Sequence, residues 1–138
     1  MGNVETVQAI YEAFGQGDIP SILDKLADDV TWDQHQPDRG TPWLTPRKGR
    51  DDVVGFFESL AGLEITRFEP QNLLEGGNQV AAVIHLEAQV KATGRTVVEE
   101  AEVHLWTFGP DGKVVDFKHV VDTHQHVEAT AGLIHRGP

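Results

Sequence analysis

The chain has 138 residues, no cysteine, and a formal net charge of −11 from 22 acidic against 11 basic residues. That length fits one domain, 1–138, with one core. The acidic balance argues against nucleic acid and anionic membrane surfaces as partners, and the lack of cysteine excludes disulfides and thiolate catalysis. No apolar run approaches the ~20 residues of a membrane helix. The N-terminus shows no basic region followed by an apolar stretch, so neither membrane insertion nor a signal peptide is expected, and the cytoplasm is the default location.

Val4, Val7, Ile10, Tyr11 and Phe14 recur at helical spacing, with Asn3 as the expected N-cap and Gly15 and Gly17 as the stop. Asp18 is placed to cap a second helix that carries Pro20 in its first turn. Residues 30–35 read as a short strand, and 36–49 as a long Pro/Gly loop carrying Trp43. A third helix opens at Arg50 or Asp51, with Val53, Phe56, Phe57 and Leu60 on one face. From Leu63 the period shifts to strands: 63–75, bent at Pro70, then 79–91, 96–108 and 114–123, joined by Gly-rich turns. Hairpin-linked strands run antiparallel, so the order predicts an α+β fold, a curved antiparallel sheet with the N-terminal helices on one face. The core is expected over about 4–125, with 126–138 as a tail and Thr130 to Pro138 loose.

The richest segment is Val103 to Asp122, two strands around Gly109-Pro110-Asp111-Gly112. It sets His104, Trp106, His119 and Asp122 among aromatic and β-branched neighbours, where ionisable groups shift their pKa. Strict alternation puts Val98, Glu100, Glu102, His104, Trp106 and Phe108 on one face, and Ala101, Val103 and Leu105 on the other. His119 and Asp122, three apart, fall on opposite faces unless a bulge intervenes. His104, His119 and Glu102 are the candidate metal set, but no closed ligand motif is present, and no metal or other cofactor is expected. His124 and His126 are expected to be exposed.

The helix ending Gly15-Gln-Gly-Asp18, then Leu26-Ala-Asp-Asp-Val-Thr-Trp32, Lys48-Gly-Arg-Asp-Asp-Val-Val-Gly-Phe-Phe57, His104-Leu-Trp-Thr-Phe108 and His119-Val-Val-Asp122 occur in a telling order. With these motifs the chain resembles the SnoaL-like and ketosteroid-isomerase-like branch of the nuclear-transport-factor-two-like superfamily, over about residues 4–125. The resemblance implies a cone with a deep pocket between helices and sheet, and a homodimer packed through the outer sheet face. It does not choose a reaction, because this fold hosts isomerases, cyclases, hydrolases, dehydratases and binding modules.

By count from the Asp-Gly-Lys turn, His104 falls where the isomerases hold a protonated aspartate, which implies a hydrogen-bond donor or acid/base role. Asp122 resembles the acid that orients water in the hydrolase and cyclase branches, and is expected to orient a histidine as the second catalytic residue. The arginine that the hydrolases place between two acids is missing, since Ala101 separates Glu100 from Glu102. The isomerase base falls at Gln34, an amide that cannot abstract a proton, so steroid isomerisation by that mechanism is not expected. Asp33 replaces it only if the register shifts by one, which also flips its face. Trp32, Gln34, Trp43, Trp106, His119 and Tyr11 are the expected substrate-binding residues, with Trp43 as a lid aromatic. The expected function is cofactor-free proton transfer on a small carbonyl compound. The alternative is a non-catalytic ligand-binding or dimeric interaction module with the same pocket.

Overall fold

A computed structural model describes residues 2–131. Helix α1, Asn3–Gly15, turns Val7, Ile10 and Ala13 inward. Its cap is Gly2 rather than Asn3, which is already the first helical residue, and Glu5 accepts the Gly2 N–H at 3.3 Å. Helix α2, Ile19–Leu23, is capped as its sequence predicts, with Asp18 accepting from Ser21 N–H and Oγ–H. Helix α3, Arg50–Ser59, buries Val53 and Phe56.

The sheet has six strands: β1 Leu26–Trp32, β2 Arg47–Lys48, β3 Leu63–Gly76, β4 Gln79–Val90, β5 Thr96–Phe108 and β6 Val114–Val120. Their order is β2-β1-β6-β5-β4-β3. β3, β4, β5 and β6 form the expected antiparallel meander. The sheet is not wholly antiparallel, however: β1 lies parallel to β6 and antiparallel to β2. A strand embedded between helices carries no hairpin to fix its direction, so that pairing was not legible in the sequence.

Strand pairing slips at several points, and each slip adds curvature. Two fall in β3, one of them directly after Pro70. The one with most consequence is in β5, where Glu100 and Ala101 together oppose His85. It resets the inward set. Val97 and Glu99 are buried together with Glu102, His104, Trp106 and Phe108, while Val98 and Glu100 are exposed. The strict alternation read from the sequence therefore fails N-terminal to Glu102.

A fourth helix, α4 Thr123–Thr130, follows the sheet where a tail was expected. It docks on β5: Gln125 bonds the backbone N–H and C=O of Val98 at 2.6 and 2.9 Å, and Thr93 Oγ–H donates to the Ala129 carbonyl. Residues 132–138, most of the segment expected to be loose, lie outside the described residues. Among the described residues no helix is long and apolar enough to cross a membrane.

Candidate active site

The helices and the concave sheet face line a half-open cavity of about 80 Å³. Aromatic side chains make much of its wall, Trp32, Trp43, Trp106, Phe56, Phe68 and Phe117 among them. Trp32 stacks on Phe117 with centroids 4.0 Å apart and meets Trp106 edge-on. The titratable groups that reach this wall are Tyr11, Glu102, His104, His119 and His126.

The first hydrogen-bonded chain runs along β5 to α1. Trp106 Nε1–H donates to Tyr11 Oη at 3.1 Å, and Tyr11 Oη lies 2.7 Å from His104 Nδ1. His104 Nε2 lies 2.6 Å from Glu102 Oε2. Indole nitrogen can only donate, so the tyrosine oxygen accepts there and its own hydrogen goes to Nδ1. With Nδ1 accepting from the phenol, a neutral His104 carries its proton on Nε2 and donates it to Glu102. Burial pushes the His104 pKa down, and Glu102 offsets this only in part. Burial also drives the Tyr11 phenol well above its ordinary range, which keeps it a donor. For Glu102, burial works against ionisation, but the His104 hydrogen bond and nearby histidine charge prevail and hold its carboxyl below the usual range. Its second oxygen, Oε1, is buried without a partner.

The second chain joins β1 to β6. Asp33 is fully buried and has φ of +57°, the one non-glycine residue with positive φ among those described. Aspartate tolerates this left-handed backbone better than most residues. Because Trp32 already faces inward, simple alternation sends Asp33 outward. The left-handed turn brings it back, and its oxygens accept the His119 backbone N–H at 2.6 Å and Nδ1–H at 2.7 Å. Burial alone would depress the His119 pKa, but the charge and hydrogen bond of Asp33, helped by Glu102, raise it above the usual value. His119 Nε2 has no hydrogen-bond partner among the described residues, and its ring lines the cavity. The His104 and His119 rings are 5.1 Å apart, nearly perpendicular.

A third chain ties α4 to the Pro-rich loop. Trp43 Nε1–H donates to His126 Nδ1 at 3.0 Å, and His126 Nε2 lies 2.9 Å from Glu99 Oε2. Glu99 also accepts the Asp122 N–H. Candidate ligand atoms of Glu99, Glu102 and His126 lie within 4.8 Å of one another, a spacing that suits a metal ion. The donor set as held does not fit one. Trp43 occupies the Nδ1 lone pair, so Nε2 carries the proton and has no lone pair to offer.

Of the residues singled out in the sequence, Tyr11, Trp32, Trp43, His104, Trp106 and His119 meet at the cavity. Gln34 does not: it is exposed and bonds the Arg47 carbonyl, because β1 has ended and Asp33 has taken the inward turn. Asp122 does not either. It is exposed and caps α4, accepting from Gln125 N–H, because β6 stops at Val120. The carboxylates that hold the two central histidines are Glu102 and Asp33 instead. His126, expected at the surface, is buried. Sequence reasoning missed α4, yet Asp122-Thr-His-Gln125 has the spacing of a capping box and marks the helix start.

A family model described as SnoaL-like domain matches residues 7–117. No curated protein matches the chain. Among solved structures the chain is similar to an NTF2-like protein of unknown function from Burkholderia pseudomallei, with 29% identity, TM-score 0.77 and coverage of 94% of this chain and 98% of that one. It is also similar to an NTF2-like protein from Burkholderia xenovorans, with 26% identity, TM-score 0.79 and coverage of 93% and 95%. A third is TerC, co-crystallised with polyporic acid, with 26% identity, TM-score 0.72 and coverage of 91% and 98%.

Proposed function

The chain belongs to the SnoaL-like domain family, and from that premise we propose that its cavity is a cofactor-free active site for proton transfer on a small carbonyl compound, of the isomerisation, cyclisation or hydration class. The observation that carries the reading is the meeting, at one cavity wall, of His119, whose pKa is pushed up, with Glu102, whose pKa is pushed down and whose Oε1 has no partner. Titratable neighbours driven apart in this way are how a protein keeps an acid and a base ready at one pH.

In this reading His119, charged and oriented by Asp33, presents Nε2–H to the carbonyl oxygen. Glu102, with Oε1 free, takes the proton from the adjacent carbon. The C–H bond breaks, its electron pair forms the enol double bond, and the oxygen gains the His119 proton. Returning the proton to another carbon is isomerisation; attack by the enol carbon on a second carbonyl of the same molecule, whose oxygen takes up the proton held by Glu102, is cyclisation; and departure of a β-hydroxyl as water with that proton is dehydration, the reverse of hydration. His104 has both nitrogens engaged, so it is a positioning residue that fixes Glu102 and Tyr11 and does not touch the substrate. The co-crystal of TerC with polyporic acid supports a small organic ligand for this chain as well.

Deuterium uptake tests the reading. A panel of cyclic ketones is incubated with the protein in heavy water and followed by mass spectrometry. Wild type should exchange α-protons above the buffer rate. His119→Gln and Glu102→Gln should each lose on the order of 10²–10⁴-fold, and Asp33→Asn should fall with His119→Gln. Ketone binding with no exchange above buffer would favour the non-catalytic binding module.

A further inference from the structure

The polar groups around the cavity are unevenly supplied with charge. Glu102 is the one carboxylate in its wall, and no lysine or arginine joins it there among the described residues. The neighbouring buried carboxylates are committed elsewhere. Asp33 takes both N–H groups of His119, and Glu99 takes those of Asp122 and His126. The charge that Asp33 stabilises on His119 is thereby balanced by Asp33 itself. Glu102 receives one hydrogen bond, from a neutral ring, and its Oε1 receives none. A carboxylate oxygen buried without a donor is unfavourable. A second anion in the same apolar enclosure would meet like charge at low dielectric, with no free cation to offset it.

Resting on the reading of this cavity as the active site, we propose that it selects its ligand by charge: it takes compact ring compounds with no formal negative charge, and it rejects their carboxylated analogues. The aromatic walls of Trp32, Trp106 and Phe117 supply affinity for the ring without regard to charge. Discrimination therefore falls to Glu102 alone. The substrate class narrows to neutral carbonyl compounds, with the carbonyl toward His119 and the adjacent carbon toward Glu102.

A matched pair of ring probes tests this by calorimetric titration at neutral pH. β-Naphthol is uncharged and carries a hydroxyl, and β-naphthoate is an anion of similar shape. Wild type should bind β-naphthol at least about tenfold more tightly, which corresponds to ~1.4 kcal/mol. Glu102→Gln, with its fold checked by circular dichroism, should bring the two probes within a few-fold of each other, chiefly by tightening β-naphthoate. Equal or tighter binding of β-naphthoate by wild type would overturn the inference, and so would failure of wild type to bind either probe. The wild-type ratio decides even if the variant does not fold. Absence of deuterium exchange would sink the catalytic reading while leaving charge selection intact. Tight binding of β-naphthoate would do the reverse.

Discussion

Two histidines in one cavity bind protons in opposite senses, and this has a consequence for stability. His119 is raised above the ordinary value of 6.5, so the folded state holds a proton that the unfolded chain releases as pH rises past that value. Its contribution is present below 6.5 and is lost as pH climbs through the raised pKa. His104 is depressed, so the unfolded chain takes a proton that the folded state refuses, and its contribution is lost as pH falls below 6.5. Urea midpoints measured from about pH 5 to 8 should therefore show the two limbs separately. His119→Gln should flatten the alkaline limb, and His104→Gln the acid limb. If both substitutions flatten the same limb, the assignment of charge to His119 and neutrality to His104 is wrong. Most of these side chains were legible as a set. Their partners were not, because Asp33 reaches His119 only through a left-handed backbone that no spacing rule predicts.

At the scale of elements, the segment after β6 separates capping from catalysis. Asp122 accepts from Gln125 N–H at the start of α4 and is exposed. Asp122→Ala should cost about 0.5–2 kcal/mol of stability, the usual worth of an N-cap, and leave ketone exchange and ligand affinity unchanged under folded conditions. A large loss of exchange with unchanged urea midpoint would restore Asp122 to the active site. The first three helices and the hairpins were readable from apolar period and glycine placement, as at Gly112, whose φ of +80° closes the β5–β6 turn. What escaped was the slip at Glu100 and Ala101. A bulge changes which residues face inward without changing composition, so Glu99 looked like an outer residue and Glu100 like an inner one. The parallel partnership of β1 with β6 escaped for a related reason, since it depends on contacts far apart in sequence.

At the scale of the molecule, the outer sheet face is apolar in its middle. Val83, Val103 and Val120 pair across β4, β5 and β6, with Ala81 beside Leu105 on one side. Val120 is 51% exposed and Leu74, at the far edge, 54%. Isolated exposed apolar residues are ordinary, but a contiguous row is a contact surface. The account predicts that two copies associate through this face, so that sedimentation at micromolar concentration gives a dimer, and Val103→Glu with Leu105→Glu gives a folded monomer. A wild-type chain that sediments only as monomer would refute that association.

The central claim is that one cavity holds two histidines whose proton affinities are pushed apart, His119 above the ordinary value and His104 below it. Nitrogen NMR of the imidazole rings followed from about pH 5 to 8 reads this directly. His119 should keep both ring nitrogens protonated to a higher pH than His104. Once neutral, His104 should carry its one proton on Nε2, with Nδ1 as an acceptor. A His119 that loses its second proton before His104, or a neutral His104 protonated on Nδ1, would contradict the account.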